Sequence, residues 1–340
     1  MKVLVTGTAG FIGSHVALKL LERGDEVIGF DNLSDYYDVE LKKARLARFM
    51  DHPRYTHVAA DLADRDAVES CFATAQPQRV VHLAAQAGVR YAAKNPHVYV
   101  SSNVTGFLHV LEGCRRHPVD HLVFASTSSV YGANAKMPFA EHAHTEHPLT
   151  LYAATKKANE LMAHSYAHLY DIPSTGLRFF TVYGPWGRPD MALFLFTKAM
   201  LADEPIQVFN HGQHKRSFTY IDDIVEGVVR TLDRAPIRDP EWDAMAPDPA
   251  RSGVAPYRIF NIGNDTSVEL LHYIEVLENC LGRKAKVEML PLQAGDVPGT
   301  EADVTSLARK IDYEPNVGVE IGVRRFVDWY LDYFHVRAGG

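Results

Sequence analysis

Short apolar runs alternate with amphipathic stretches through the first half of the chain. KVLVTG, EVIGFD, YTHVAADL, RVVHLAA, HLVFAST and STGLRFFTVYG read as strands. Between them, FIGSHVALKLLERG (ended by Gly24), DAVESCFATA, a stretch from about Ser102 to Arg116, and YAATKKANELMAHSYAHLY read as helices. Strands that are almost unbroken Val, Ile and Leu, separated by helices, predict a parallel sheet covered on both faces. The expected architecture is therefore α/β, a doubly wound parallel Rossmann sheet.

The rhythm breaks after about residue 182, where Pro185, Pro189 and Pro205 interrupt it and the elements become short and mixed. The expected division is residues 1–181 as the nucleotide-binding and catalytic unit and 182–340 as a smaller mixed substrate-binding domain. That second unit is partly discontinuous, because RIFNIG (258–263) reads as one more core strand. The segment 235–256, rich in proline, is expected to be a surface loop without chemistry.

VLVTGTAGFIGSHV sets Gly7, Gly10 and Gly13 between the first strand and the first helix. Glycines there allow a tight turn and close approach of backbone to a pyrophosphate. The helix start, at Phe11 and Ile12, offers unpaired N–H groups and a positive dipole end to the anion. Two further features strengthen this assignment. The second strand ends in Asp31, followed by Asn32, where a carboxylate accepts ribose hydroxyls and repels a 2′-phosphate, favouring NAD over NADP. The third run ends in Asp61 and Leu62, at the expected adenine edge.

YAATK places Tyr152 and Lys156 at i and i+4 on one helix face. Tyrosine and lysine ordinarily titrate near pH 10. An ammonium beside a phenol favours phenolate, so such a tyrosine can act as a base near neutral pH. STSSVYG, at 126–132, puts hydroxyls at the end of a core strand, where they either satisfy the backbone or face a substrate.

Composition narrows the partners. With 340 residues, 46% hydrophobic and 23% charged, the chain suits a soluble enzyme, and a net charge of −7 without a basic tract argues against nucleic acid or an acidic membrane. Cys71, Cys114 and Cys280 are far apart and form no CxxC pair, so reduced thiols and no zinc site are expected. The opening MKVLVTG reads as a strand rather than a signal sequence, and a cytoplasmic location follows as an expectation. EHAHTEH (141–147) has no regular ligand spacing, so no metal is expected.

Taken together, TGTAGFIGSH, HLAAQAGVRYA, STSSVYG, YAATKKANE, RFFTVYGPWGRPDM, RSFTYIDDIVEG, FNIGN and GDVPGTEAD resemble the extended short-chain dehydrogenase/reductases, in their nucleotide-sugar epimerase branch. Within that branch the chain most resembles UDP-glucuronate 4-epimerases. The resemblance implies that Thr127, Tyr152 and Lys156 form the catalytic triad and that Leu83, Ala84, Ala85 and Asn103 line the cofactor path. It also implies that Arg216 clamps a diphosphate and that Asp296 lies near the nucleotide ribose. Some epimerases carry an arginine three residues before that aspartate, where this chain has Gln293.

The implied reaction oxidises the sugar at C4, rotates the keto sugar and returns the hydride to its other face. Dehydratases and decarboxylases of the family place acids where Ser128 and Ser129 stand; their absence favours inversion. A 4-keto uronate tends to lose CO₂, so its carboxylate must be held. Ser128, Ser129, Thr181 and Arg188 are candidates for that task, and Arg90 is a further substrate contact. UDP-glucose 4-epimerase is the same-fold alternative; a UDP-glucuronate decarboxylase and a non-catalytic NAD-binding regulator are weaker ones. The helices 102–116 and 152–169 are apolar on more than one face, and with the resemblance they imply a homodimer through a four-helix interface.

Overall fold

The computed structural model describes residues 1–293 and 297–336. The first half runs β1 (Lys2–Thr6), α1 (Phe11–Arg23), β2 (Glu26–Asp31), α2 (Val39–Ala47), β3 (Tyr55–Ala59), α3 (Arg65–Ala75) and β4 (Arg79–His82). It continues with α4 (Pro96–Tyr99), a π-type turn over Val100–Thr105, α5 (Gly106–Arg116), β5 (His121–Thr127), α6 (Leu151–Tyr170) and β6 (Ser174–Phe179). Gly24 closes α1 in the left-handed region, at φ 100°.

The second half contains β7 (Thr181–Tyr183), α7 (Ala192–Leu201), β8 (Ile206–Val208), β9 (Lys215–Arg216), β10 (Phe218–Tyr220), α8 (Ile221–Leu232) and β11 (Tyr257–Ile262). Then follow β12 (Val268–Glu269), α9 (Leu270–Leu281), β13 (Val287–Met289), β14 (Gly299–Thr300), α10 (Thr305–Ile311) and α11 (Val319–Tyr333).

The core is a seven-stranded parallel sheet in the order β11-β6-β5-β4-β1-β2-β3. Side chains alternate across it. Val3 and Val5 join one buried cluster with Val16 and Leu20 of α1 and Val228 of α8, whereas Leu4 and Ile28 join another with Phe72 of α3, Val110 of α5 and Ala163 of α6. Both faces are thus covered, as the apolar strands require. Phe194, Tyr273 and Phe326, from α7, α9 and α11, belong to the first cluster, so the second half shares a core with one sheet face.

The register brings the carboxyl ends of the strands together. Thr6 pairs with Phe30 and His82, and Thr127 pairs with Phe179. Strand order reverses between β1 and β4, and in such sheets ligands bind at the carboxyl ends beside that reversal.

Two features differ from the sequence reading. The run 174–184 is not one strand: β11 ends at Ile262, opposite Phe179, so the chain beyond Phe180 has no neighbour left in the sheet. It forms β7, which pairs with β10. In addition, α2 lies in a polar stretch without helical periodicity; Asp38 caps it by accepting from Glu40 N at 2.9 Å. The segment 235–256 lies along β11, the outer strand. Ala250 O accepts from Ile259 N at 2.7 Å and Arg251 bridges to Arg258, which covers an edge that would otherwise be open to pairing. Among the described residues, no helix is long and apolar enough to cross a membrane.

Two buried histidines make the fold sensitive to acid. His121 bonds Leu232 O through Nδ1 and Thr175 Oγ1 through Nε2, and burial lowers its pKa to about 4. His82 is lowered to about 3, by burial first and by Lys156 second. An unfolded histidine titrates near 6.5, so below that pH the unfolded chain binds protons that the folded one refuses. Stability is therefore lost as pH falls from about 6.5 toward the folded values, by about 2 kcal/mol per histidine at pH 5. Thermal unfolding should show a lower midpoint at pH 5 than at pH 7.5, in a window where carboxylates contribute little; equal midpoints would contradict this.

Candidate active site

A cavity of about 1400 Å³ opens along the carboxyl ends of the strands. This exceeds the usual 300–1,000 Å³ of a single small-ligand site and suits two nucleotides side by side. At one end lies the glycine loop. Gly7 has φ +81°, and a Cβ on it would meet Ala84 N at 2.8 Å; a Cβ on Gly13 would meet Gly7 O at 2.0 Å. The loop is therefore closed by glycine alone, with Phe11 and Ile12 at the helix start lining the cavity. Asp31 Oδ2 accepts from Ala9 N at 2.9 Å and Oδ1 from Leu33 N at 2.8 Å. A carboxylate has about four lone-pair sites, so both oxygens keep capacity for ribose hydroxyls. Asn32 donates to Asp61 at 2.8 Å beside Leu62, closing this end of the cavity. Leu83, Ala84 and Ala85 form the adjoining wall. These residues fit a dinucleotide.

The middle of the cavity holds the hydroxyls. Thr150 caps α6, accepting from Ala153 N at 3.2 Å, and this puts Tyr152 in the first turn and Lys156 one turn on. Thr127 ends β5, and its Oγ1 accepts from Ser129 N at 3.2 Å and lies 3.3 Å from Ser129 Oγ. Burial raises the Tyr152 phenol above its ordinary value, while the Arg188 guanidinium and a hydrogen bond with Thr127 pull it down. From sequence that pull is assigned to Lys156; in the structure the cation that lowers the phenol is Arg188. Lys156 is itself lowered to about 8 by burial, against the opposing charge of Glu160.

The far end carries Ser128, Ser129 and Thr181, with Arg90, Arg188, Lys198 and Arg216. Arg188 is bidentate on Asp190, at 3.0 and 2.6 Å. Arg90 stands 5.3 Å from the centre of the Phe209 ring. Arg216 donates to the carbonyls of Val297 at 2.7 Å and Pro298 at 3.1 Å. Gln293 lines the same end, and its buried side-chain oxygen has no partner among the described residues. Asp296 lies outside the described residues. No group of His, Cys, Asp and Glu among the described residues is placed to hold a metal.

Residues 3–242 match the model of the NAD dependent epimerase/dehydratase family. The chain belongs to that family. It is 49% identical over 333 residues to a probable UDP-glucuronate 4-epimerase of Rhizobium meliloti (strain 1021), covering 97% of both chains. It is 52% identical over 334 residues to the protein CapI of Staphylococcus aureus, covering 98% of this chain and 99% of the relative. Among solved structures it resembles the UDP-glucuronic acid 4-epimerase of Bacillus cereus in complex with UDP-glucuronic acid and NAD. The TM-score there is 0.87 at 32% identity, covering 98% of this chain and 100% of that one.

Within this epimerase/dehydratase, several residues that shape the site had no sequence signal. Arg178 is fully buried and bidentate on Glu160 at 2.8 and 2.9 Å; Glu160 also accepts from Ser126 at 2.6 Å. Ser126, one of the hydroxyls at the end of β5, thus joins this ion pair between α6 and β6. Glu141 likewise leaves the apparent loop EHAHTEH to accept from Asn261 N at 3.1 Å. Asn103 does not line the cavity: its amide clamps Gln86 N and O, at 2.8 and 3.1 Å, and reaches Thr155 at 3.2 Å. Its effect on the cofactor wall passes through the loop it holds. The i, i+4 rule that finds Tyr152 and Lys156 also places Glu160 below them, but its partner is 18 residues away on β6.

Proposed function

We propose that this protein is a UDP-glucuronate 4-epimerase, interconverting UDP-glucuronate and UDP-galacturonate with bound NAD and without loss of CO₂. The observation that carries it is the hydroxyl cluster of Thr127, Ser128, Ser129 and Thr181 with Arg188, free of acids at 128 and 129, in one cavity with Tyr152 and Lys156. Relatives that share nearly the whole length of the chain bear the same activity in their names.

The glycine loop at Gly7, Gly10 and Gly13, the helix start at Phe11 and Ile12, and Asp31 hold the cofactor; Asn32, Asp61 and Leu62 enclose its adenosine and Leu83–Ala85 its path. When bound there, NAD would supply hydride acceptance and return at the sugar C4. Tyr152 takes the proton of the 4-hydroxyl, directly or through Thr127, and later restores it. Lys156, charged below about pH 8, favours the phenolate and holds a ribose hydroxyl. Ser128, Ser129, Thr181 and Arg188 hold the C5 carboxylate out of line with the C4 carbonyl. Arg90, Arg216 and Asp296 serve the nucleotide part of the substrate. Residues 1–181 thus carry cofactor, catalysis and the hydroxyl contacts to the substrate, and 182–340 add Arg188, Arg216 and Asp296.

Purified protein given UDP-glucuronate should yield UDP-galacturonate on chromatography, with kcat/KM for UDP-glucose at least about tenfold lower, the value of one good charged contact. No UDP-galacturonate, or release of CO₂ with a UDP-pentose, would overturn the assignment.

We further assign a homodimer through α5 and α6, where Leu108, Leu161 and Leu169 are 37%, 60% and 65% exposed. Sedimentation should give a dimer that Leu161→Glu dissociates; a wild-type monomer at micromolar concentration would refute it. The three free, buried cysteines fit a reducing compartment, and we place the protein in the cytoplasm. Cell fractionation that recovered it elsewhere would count against this.

A further inference from the structure

Between β2 and β3 the stretch Ser34–Arg45, which includes most of α2, reaches across the cavity to the loop that bears Arg188. Arg45 is fully buried. Its guanidinium donates to Ala9 O at 3.1 Å in the glycine loop, and to Trp186 O and Gly187 O at 3.0 Å each beside Arg188. It also donates to the Tyr37 hydroxyl at 2.6 Å. One side chain thus ties the cofactor loop to the substrate loop by backbone carbonyls on both sides. Trp186 sits at φ +64°, a conformation that a residue with a side chain holds only when its surroundings impose it. Arg48 lies over its ring at 5.2 Å.

A second strut comes from Tyr36. Its hydroxyl donates to Asp190 Oδ2 at 3.0 Å, on the carboxylate that grips Arg188 by two hydrogen bonds. Gly88, at φ +99°, packs against this hydroxyl so closely that a Cβ there would stand 2.4 Å from it. The phenol stays protonated, because burial and then Asp190 push its pKa well up, and it therefore remains a donor. Asp190 remains ionised, held low by Arg188 against its burial.

Arg188 is a long side chain whose free ends would sample several directions. Fixing them leaves one orientation toward the cavity. We propose that Tyr36 and Asp190, with Arg45 behind the loop, are positioning residues that set the Arg188 guanidinium for the C5 carboxylate and so suppress loss of CO₂. This rests on the assignment of UDP-glucuronate as substrate. In the suppressed side reaction the C5–C6 bond of the 4-keto sugar breaks and CO₂ leaves. The electron pair passes into the enolate of the C4 ketone, and C5 takes a proton. A carboxylate held with that bond in the plane of the carbonyl cannot release its electrons this way; a loosely held one can.

The test uses the full-length protein with NAD and UDP-glucuronate, comparing wild type with Tyr36→Phe and Asp190→Asn. KM, kcat and CO₂ released per UDP-galacturonate formed are measured, with thermal midpoints alongside. Tyr36→Phe removes one hydroxyl and is expected to raise KM about three- to tenfold, the effect of freeing one long side chain. The CO₂ fraction should rise about tenfold, with an unchanged midpoint. Asp190→Asn, which weakens the grip on Arg188 directly, should raise the CO₂ fraction further. A merely structural role would lower the midpoint and leave the product ratio as in wild type, and that result overturns the inference. Wild type that makes UDP-galacturonate while both variants match it in KM and CO₂ overturns the inference alone. Wild type that makes none overturns the substrate assignment and the inference together.

Discussion

Tyr152→Phe is expected to lower kcat for UDP-glucuronate by about 10³-fold while leaving NAD and substrate bound, in line with the usual 10² to 10⁴ for one proton-transfer group. The substitution removes only an oxygen. The ring keeps its place at the start of α6, edge-on to Tyr99 at 6.1 Å between centres. The cofactor loop is built on β1 and α1 and does not depend on this hydroxyl. Thr127 remains, yet a neutral aliphatic hydroxyl is far too weak a base to take and hold the proton without the phenol. Steady-state rates, together with the nucleotide absorbance retained after gel filtration, read both parts of the expectation. A variant within tenfold of wild type would remove Tyr152 from the chemistry.

The second large effect is on folding. Arg178→Ala should destabilise the protein by about 3–5 kcal/mol, the usual consequence of leaving one member of a buried ion pair alone. Glu160 is buried and would lose both guanidinium bonds, keeping Ser126 at 2.6 Å and Lys157 at 3.3 Å. The phenol of Tyr131, 3.1 Å from Arg178, and Glu141 O, at 3.2 Å, would lose a donor as well. Replacing both members, Arg178→Met with Glu160→Leu, should recover much of the loss, because no unpaired charge remains. The double variant should still be a poor enzyme. Glu160 is the charge that holds Lys156 up against burial, so its removal shifts Lys156 toward the neutral amine. Urea unfolding measures the first effect; a loss below about 1 kcal/mol would place Arg178 in a wetter setting than its hydrogen bonds describe.

What the sequence carries and what it hides divide along physical lines. The core strands are legible because a strand buried on both faces must be apolar through its middle, as Val3–Val5, Val27–Phe30, Val80–Val81 and Leu122–Ala125 are. Gly7 and Gly13 are legible because no other residue fits a loop that folds back on its own carbonyl. Tyr152 and Lys156 are legible because a helix fixes what four residues of spacing mean. Thr127 serves both meanings of a hydroxyl at a strand end: it caps the turn through Ser129 N and it meets the Tyr152 phenol in the cavity. By contrast, Arg45, Arg178 and Asp190 are charged residues in unremarkable surroundings. Gly187 O for Arg45, Glu160 for Arg178 and Tyr36 for Asp190 lie 142, 18 and 154 residues away, across strands and loops that only the fold brings together. Asn103 shows the remaining gap, since sequence marks it as a polar residue near the cofactor, while its amide is spent on the backbone of Gln86.

The central claim is inversion at C4 of a uronate whose carboxylate survives. It is tested most directly by running the reaction on UDP-glucuronate in D₂O and following it by proton NMR with headspace CO₂ detection. UDP-galacturonate should carry protium at both C4 and C5, with only traces of CO₂, because the C4 hydrogen returns to the same sugar and C5 is never deprotonated. Deuterium at C4 or C5 of the product, or CO₂ formed in amounts comparable to UDP-galacturonate, would contradict it.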